Sequence, residues 1–133
     1  MRYKYLAYKY TRRTGAENSF HAVWESFGAW SHPSALLWRP PTDVYETRDK
    51  LIVVIELGGV EEDDITVTLF SDLLVVEGQR QQTISTETNA CHQLGIKYGD
   101  FKSEVGIPFP VDSEQVRAEY KNGLLTVTLS KLP

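Results

Sequence analysis

One cysteine among 133 residues excludes an intrachain disulfide and gives no sign of an oxidising compartment. An uninterrupted apolar run of membrane-spanning length is also missing. The aromatic opening from Met1 to Tyr10 is broken by Lys4 and Lys9, so it reads neither as a signal peptide nor as a membrane span, and a cytoplasmic location is the expectation. Gly58-Gly59 is not followed by Lys-Ser or Lys-Thr, which leaves no phosphate-cradling loop and argues against direct use of ATP. The histidines His21, His32 and His92 show no zinc-site spacing. Cys91 and His92 are adjacent, which suggests a nucleophile and its base. Neighbouring residues of an extended strand point to opposite sides, however, and so fail the geometric test of such a dyad. The run Glu61-Glu62-Asp63-Asp64 lacks the alternating oxygen ligands and central glycine of a calcium loop; it reads as a solvated turn before a strand. Neither a cofactor nor a metal is expected, and the chain is read as no enzyme.

The residues present fit one domain with an appendage. The chain is 41% hydrophobic and 24% charged, ordinary for a globular protein. Its net charge of −4 is unevenly spread: Arg2, Lys4, Lys9, Arg12 and Arg13 stand without an acid in residues 1 to 13. Such a basic arm on an acidic body could bind nucleic acid or anionic lipid, or contact the acidic body of its own or a neighbouring subunit. The arm is short, and neither nucleic acid nor membrane is expected as a partner.

Residues 1 to 41 hold all three tryptophans, Trp24, Trp30 and Trp38. Within them Phe20, Val23, Trp24 and Phe27 recur at helical spacing, with Asn18 or Ser19 as a cap and Gly28 as a stop. A helix so short needs its aromatic face covered. Packing against another subunit is the favoured cover, packing on its own domain the other. Pro33, Pro40 and Pro41 punctuate the link into the domain.

From Thr42 the apolar period is two. Val44 to Thr47, Leu51 to Leu57, Ile65 to Phe70, Leu73 to Glu77, Phe101 to Ile107, Val116 to Tyr120 and Leu124 to Leu129 read as strands. Seven short strands without a long helix between them imply an all-β, immunoglobulin-like antiparallel sandwich. Its plainest hairpin turns at Asn122-Gly123, with Leu125, Val127 and Leu129 on one face of the following strand. Asp112 and Gln115 have capping-box spacing and predict a single helical turn. The stretch from Gly78 to Tyr98 is polar, β-branched and without alternation, a length of loop that is usually functional or a linker.

Three stretches together resemble the α-crystallin domain of small heat-shock proteins. These are Ala118 to Leu125 with its Asn-Gly and following leucines; Asp43 to Thr47 leading through Leu51–Leu57 and Gly59-Val60 to Ile65-Thr66-Val67; and Tyr98-Gly99-Asp100-Phe101 followed by Ile107-Pro108. The resemblance spans Thr42 to Lys131 in order. It implies an aromatic-rich arm at 1–41, the domain at 42–131 and a vestigial tail at 132–133. It further implies an ATP-independent holdase that binds partly unfolded client proteins and prevents their aggregation. Phe20, Val23, Trp24, Phe27, Trp30 and Trp38 are then the client or assembly contacts. A homodimer would form by strand exchange through Thr83, Ile84, Ser85, Thr86, Glu87, Thr88, Asn89 and Ala90. A polar Thr/Ser-rich segment suits that role, because it can satisfy its backbone on a neighbour's sheet edge.

The sequence departs from the family in three places. Gly58 stands where a proline is usual, which loosens that turn. Gly95-Ile96 replaces an acid and an arginine, which removes a salt bridge across the dimer. The chain stops at Ser130-Lys131-Leu132-Pro133, without an Ile/Val-x-Ile/Val tail. A groove formed by Ile65, Val67, Leu69, Val116 and Ala118 is therefore expected to stand vacant, and a dimer or a small, atypical oligomer is expected. The alternative is a co-chaperone-like interaction domain, monomeric and with one defined partner.

Overall fold

The computed structural model describes residues 1–5, 37–82, 84, 87 and 90–133. The helix expected around Phe20 to Phe27 lies outside the described residues. Eight strands are present among the described residues: β1 (Arg2–Tyr5), β2 (Thr42–Glu46), β3 (Lys50–Glu56), β4 (Ile65–Leu69), β5 (Leu73–Arg80), β6 (Gly99–Gly106), β7 (Val111–Lys121) and β8 (Leu124–Lys131). They form two four-stranded sheets, ordered β1-β4-β5-β6 and β2-β3-β8-β7. Period two explains the layering. Leu51, Val53 and Ile55 of β3 and Leu125, Val127 and Leu129 of β8 are at most 2% exposed, and they meet Ile65, Val67, Leu69, Leu74, Val76 and Phe101 of the other sheet in one core. The alternate residues Leu73 and Val75 join Phe70 in a second buried cluster, so β5 is covered on both faces there.

The β7–β8 hairpin closes through Asn122 (φ 53°) and Gly123 (φ 80°), the two positive angles of a type I′ turn. This turn packs on another. The Leu57 amide donates to the Gly123 carbonyl at 2.7 Å, and a Cβ on Gly123 would lie 3.1 Å from the Gly58 Cα. Between β3 and β4 the acidic run becomes an exposed 3-10 turn, Glu62–Asp64, as a solvated turn should.

Three expectations are corrected. Asp112 to Gln115 form no helical turn but belong to β7, whose register slips between Val111 and Val116. The extra residues bulge from the ladder. Asp112 still caps a backbone amide, with its carboxylate accepting from Glu114 two residues on, at 2.9 Å. Second, β5 runs on past Glu77 to Arg80, because Gly78 lets β4 and the Phe101 ring approach closely: a Cβ there would stand 2.0 Å from the Asp64 carbonyl oxygen and 2.9 Å from Phe101 Cζ. Third, one wall of the expected groove, the β4 edge, is already paired within the chain. β1 lies parallel along β4, with Arg2 opposite Thr66 and Tyr5 opposite Leu69. This pair makes the first sheet mixed rather than purely antiparallel.

Candidate functional site: exposed edge and long loop

The edge strand β2 differs from the rest of the sandwich in being exposed along nearly its whole length. Val44 is 48% and Tyr45 55% exposed, unusual for large apolar side chains in a strand of this core. Its hydrogen bonding is one-sided. Glu56 donates to the Pro41 carbonyl and Thr47 to the Lys50 carbonyl. By antiparallel alternation Asp43 and Tyr45 then turn their backbone groups toward β3, while Thr42, Val44 and Glu46 turn theirs to the open edge. A strand edge of this kind accepts another strand. Asp43 accepts from the Tyr45 hydroxyl at 3.2 Å, and its negative charge holds the Tyr45 phenol above its ordinary pKa.

In the loop between β5 and β6 the described residues of the swap segment, Ile84, Glu87 and Ala90, are exposed. Thr83, Ser85, Thr86, Thr88 and Asn89 lie outside the described residues. Ile84, Leu94 and Ile96 are 64%, 77% and 65% exposed, three aliphatic side chains on one loop. Cys91 and His92 are both at the surface, and among the described residues no cluster of His, Cys, Asp or Glu could hold a metal.

The loop is clamped at its root by a residue that sequence reasoning passed over. Arg80 ends β5, and its Nε and Nη2 donate to the Lys97 carbonyl at 2.9 and 2.6 Å, while Nη1 donates to the Gly58 carbonyl at 3.1 Å. One guanidinium thus ties both ends of the loop to the Gly58-Gly59 turn. Its plane lies over the Trp38 ring at 4.3 Å and 5.7 Å from that of Tyr98, within cation–π range. The only sequence signal was a lone arginine among glutamines after Gly78. A cleft of about 620 Å³ opens beside this group, lined by Trp38, Pro41, Gly58, Arg80, Ile96 and Tyr98 among others.

Of the aromatic residues expected to meet clients, Phe20, Val23, Trp24, Phe27 and Trp30 lie outside the described residues. Trp38 is 8% exposed. It pairs with β6 as a one-residue parallel bridge to Phe101, its ring 5.5 Å from that phenyl, and its indole N–H donates to the Gly99 carbonyl at 3.3 Å. Most of its surface is therefore covered within its own domain. The groove residues divide similarly: Ile65, Val67 and Leu69 are buried core, whereas Val116 and Ala118 pack half-buried against it.

The model of the Hsp20/alpha crystallin family matches residues 43–133. The chain belongs to this family. Relatives of this small heat shock chain include Spore protein SP21 of Stigmatella aurantiaca, 34% identical over 83% of this chain and 69% of its own. Small heat shock protein C4 of Rickettsia felis is 29% identical over 86% of this chain and 70% of its own. Among solved structures, Heat shock protein 16.0 from Schizosaccharomyces pombe superposes with a TM-score of 0.65 at 35% identity, covering 71% of this chain and 88% of that one. The sandwich is thus an α-crystallin domain, and a chaperone role follows from the family. The family's members are chaperones rather than enzymes, and they form oligomers. No helix among the described residues of this small heat shock chain is long and apolar enough to cross a membrane.

Proposed function

We propose that this chain is an ATP-independent holdase that covers the apolar surface of partly unfolded cytoplasmic proteins. The observation that carries the reading is the match to a chaperone family over a sandwich whose edge strand and long loop expose Val44, Tyr45, Ile84, Leu94 and Ile96. Unfolding clients present apolar surface, and covering it is worth about 25 cal/mol per Å² without any covalent step. The arm at 1–41, with Phe20, Val23, Trp24, Phe27 and Trp30, supplies further client contacts, and the domain at 42–131 carries them.

The active unit is a homodimer in which Thr83 to Ala90 of each copy pairs with the open edge of the partner's β2. Support comes from the outward backbone groups of Thr42, Val44 and Glu46, from the Arg80 clamp, which fixes the root of the loop, and from the exposure of Ile84, Glu87 and Ala90. Heating the full chain with a thermolabile client in the absence of nucleotide, then fractionating by size, tests this. A soluble complex containing client, diminished when residues 1 to 41 are removed, is expected; client found only in the pellet would dismiss the holdase reading.

A further inference from the structure

The tip of the β7–β8 hairpin carries a reactive pair. Asn122 is exposed and precedes a glycine, so no side chain shields the Gly123 nitrogen from the Asn122 side-chain amide. The other two asparagines, Asn18 and Asn89, precede Ser19 and Ala90. A free pair of this kind cyclises. The Gly123 nitrogen bonds to Asn122 Cγ, the Cγ–Nδ2 bond breaks, and Nδ2 leaves as ammonia with the proton of the Gly123 amide. Water then opens the cyclic imide. Attack at Cγ gives aspartate; attack at the backbone carbonyl gives isoaspartate, whose main chain runs through Cγ and is longer by that carbon. In sum, asparagine and water become an acid and ammonia, and nothing is oxidised or reduced.

The closed turn opposes this reaction. Asn122 has φ 53°, the one positive value among the described non-glycine residues. Left-handed backbone has ψ near about +47°, which sets the Gly123 nitrogen opposite the Asn122 Cβ across the Cα–C bond, whereas ring closure needs the two on the same side. Bringing them together must swing Gly123. Its carbonyl is held at 2.7 Å by the Leu57 amide, and a Cβ on it would lie 3.1 Å from the Gly58 Cα, so the neighbouring turn stands in the way. That turn is itself fastened, since the Tyr120 hydroxyl lies 2.6 Å from the Leu57 carbonyl and 2.9 Å from that of Val60.

We propose that Asn122 is a self-modification site gated by this contact between turns, silent while the hairpin tip is closed and converted to isoaspartate and aspartate when the tip opens. The change runs one way. The longer main chain of isoaspartate does not fit a two-residue turn, so the Gly123 carbonyl no longer meets the Leu57 amide, and Leu57, buried in the core, loses that acceptor. Gly58 follows Leu57 and carries the carbonyl held by Arg80 Nη1. The damage therefore reaches the clamp at the root of the β5–β6 loop, and heat that opens the tip is recorded in the chain.

The test incubates the full-length chain at mildly alkaline pH, below its melting temperature, and in parallel in guanidinium chloride. Mass spectrometry of its peptides follows the exchange of amide for acid at each asparagine. In denaturant Asn122 should convert ahead of Asn18 and Asn89. In the native chain its rate should fall roughly tenfold or more, because only the open fraction reacts. Equal rates in the two conditions overturn the gating, and an Asn122 that persists in denaturant overturns the site. Tyr120→Phe, confirmed as folded at the incubation temperature, should raise the native rate several-fold and leave the denatured rate unchanged. A native rate no higher than the parent's would show that the neighbouring turn is not the gate. The readout needs no client and is independent of holdase activity.

Discussion

Gly78 has the least room of the described glycines, since the Asp64 carbonyl oxygen occupies the space its side chain would need. Gly78→Ala should cost about 3 kcal/mol, toward the upper end of overpacking losses, because backbone rather than a flexible side chain must yield. A lower urea midpoint with unchanged slope would show it, and Gly95→Ala, which meets nothing within 4 Å, serves as the silent control. Tyr120 is the other singular residue. Its hydroxyl lies 2.6 Å from the Leu57 carbonyl and 2.9 Å from that of Val60, holding the approach to β4. Burial, chiefly, raises its pKa above the ordinary 10.0. The phenolate is thus disfavoured in the folded domain, so the hydroxyl's contribution is complete below the unfolded value and is lost as pH rises through the folded one. Tyr120→Phe should cost about 1 kcal/mol at neutral pH. Thermal melts of the two proteins should then converge as pH rises above the ordinary tyrosine value of 10.0 and through the raised one. Neither role was legible beforehand: Gly78 reads as the start of a loop and Tyr120 as one more alternating residue, because what distinguishes them is a neighbour from a distant strand.

Among the elements, seven strands were readable from their alternation, and β1 was not. Leu51 to Leu57 and Leu124 to Leu129 announce their core faces, and Asn122-Gly123 announces its turn, since period and turn chemistry are local properties. β1 was read only as basic and aromatic, because four residues become a strand when an edge is offered, and the offering edge lies more than sixty residues on. The slip in β7 was hidden for a similar reason: Asp112 and Gln115 satisfy a capping pattern, but pairing with β8 outweighs it. The open side of β2 leads to a sharper prediction. Val44→Pro removes an outward N–H without touching the β2–β3 ladder, and proline is tolerated at a sheet edge. Sedimentation should show dimer affinity weakened roughly tenfold or more, the loss of a hydrogen bond whose partner is left buried, with a melting temperature within a few degrees of the parent. An unchanged dimer would place the interface elsewhere.

At the scale of the whole molecule, the proposed function assigns recognition to the edges of the sandwich: β2, exposed along most of its length, and the exposed residues of the β5–β6 loop. Fold class could be read from seven short strands, and the chaperone role from three stretches resembling one family. The Arg80 clamp and the occupied β4 edge could not, because both depend on which loops and ends the closed sandwich brings together. The central claim is that this surface restrains unfolding proteins without chemistry. Light scattering from a heated client mixed with an equal number of chains, in nucleotide-free buffer, tests that claim most directly. Scattering held near baseline, and not improved by added ATP, is the predicted result; scattering that climbs as it does for the client alone would contradict it.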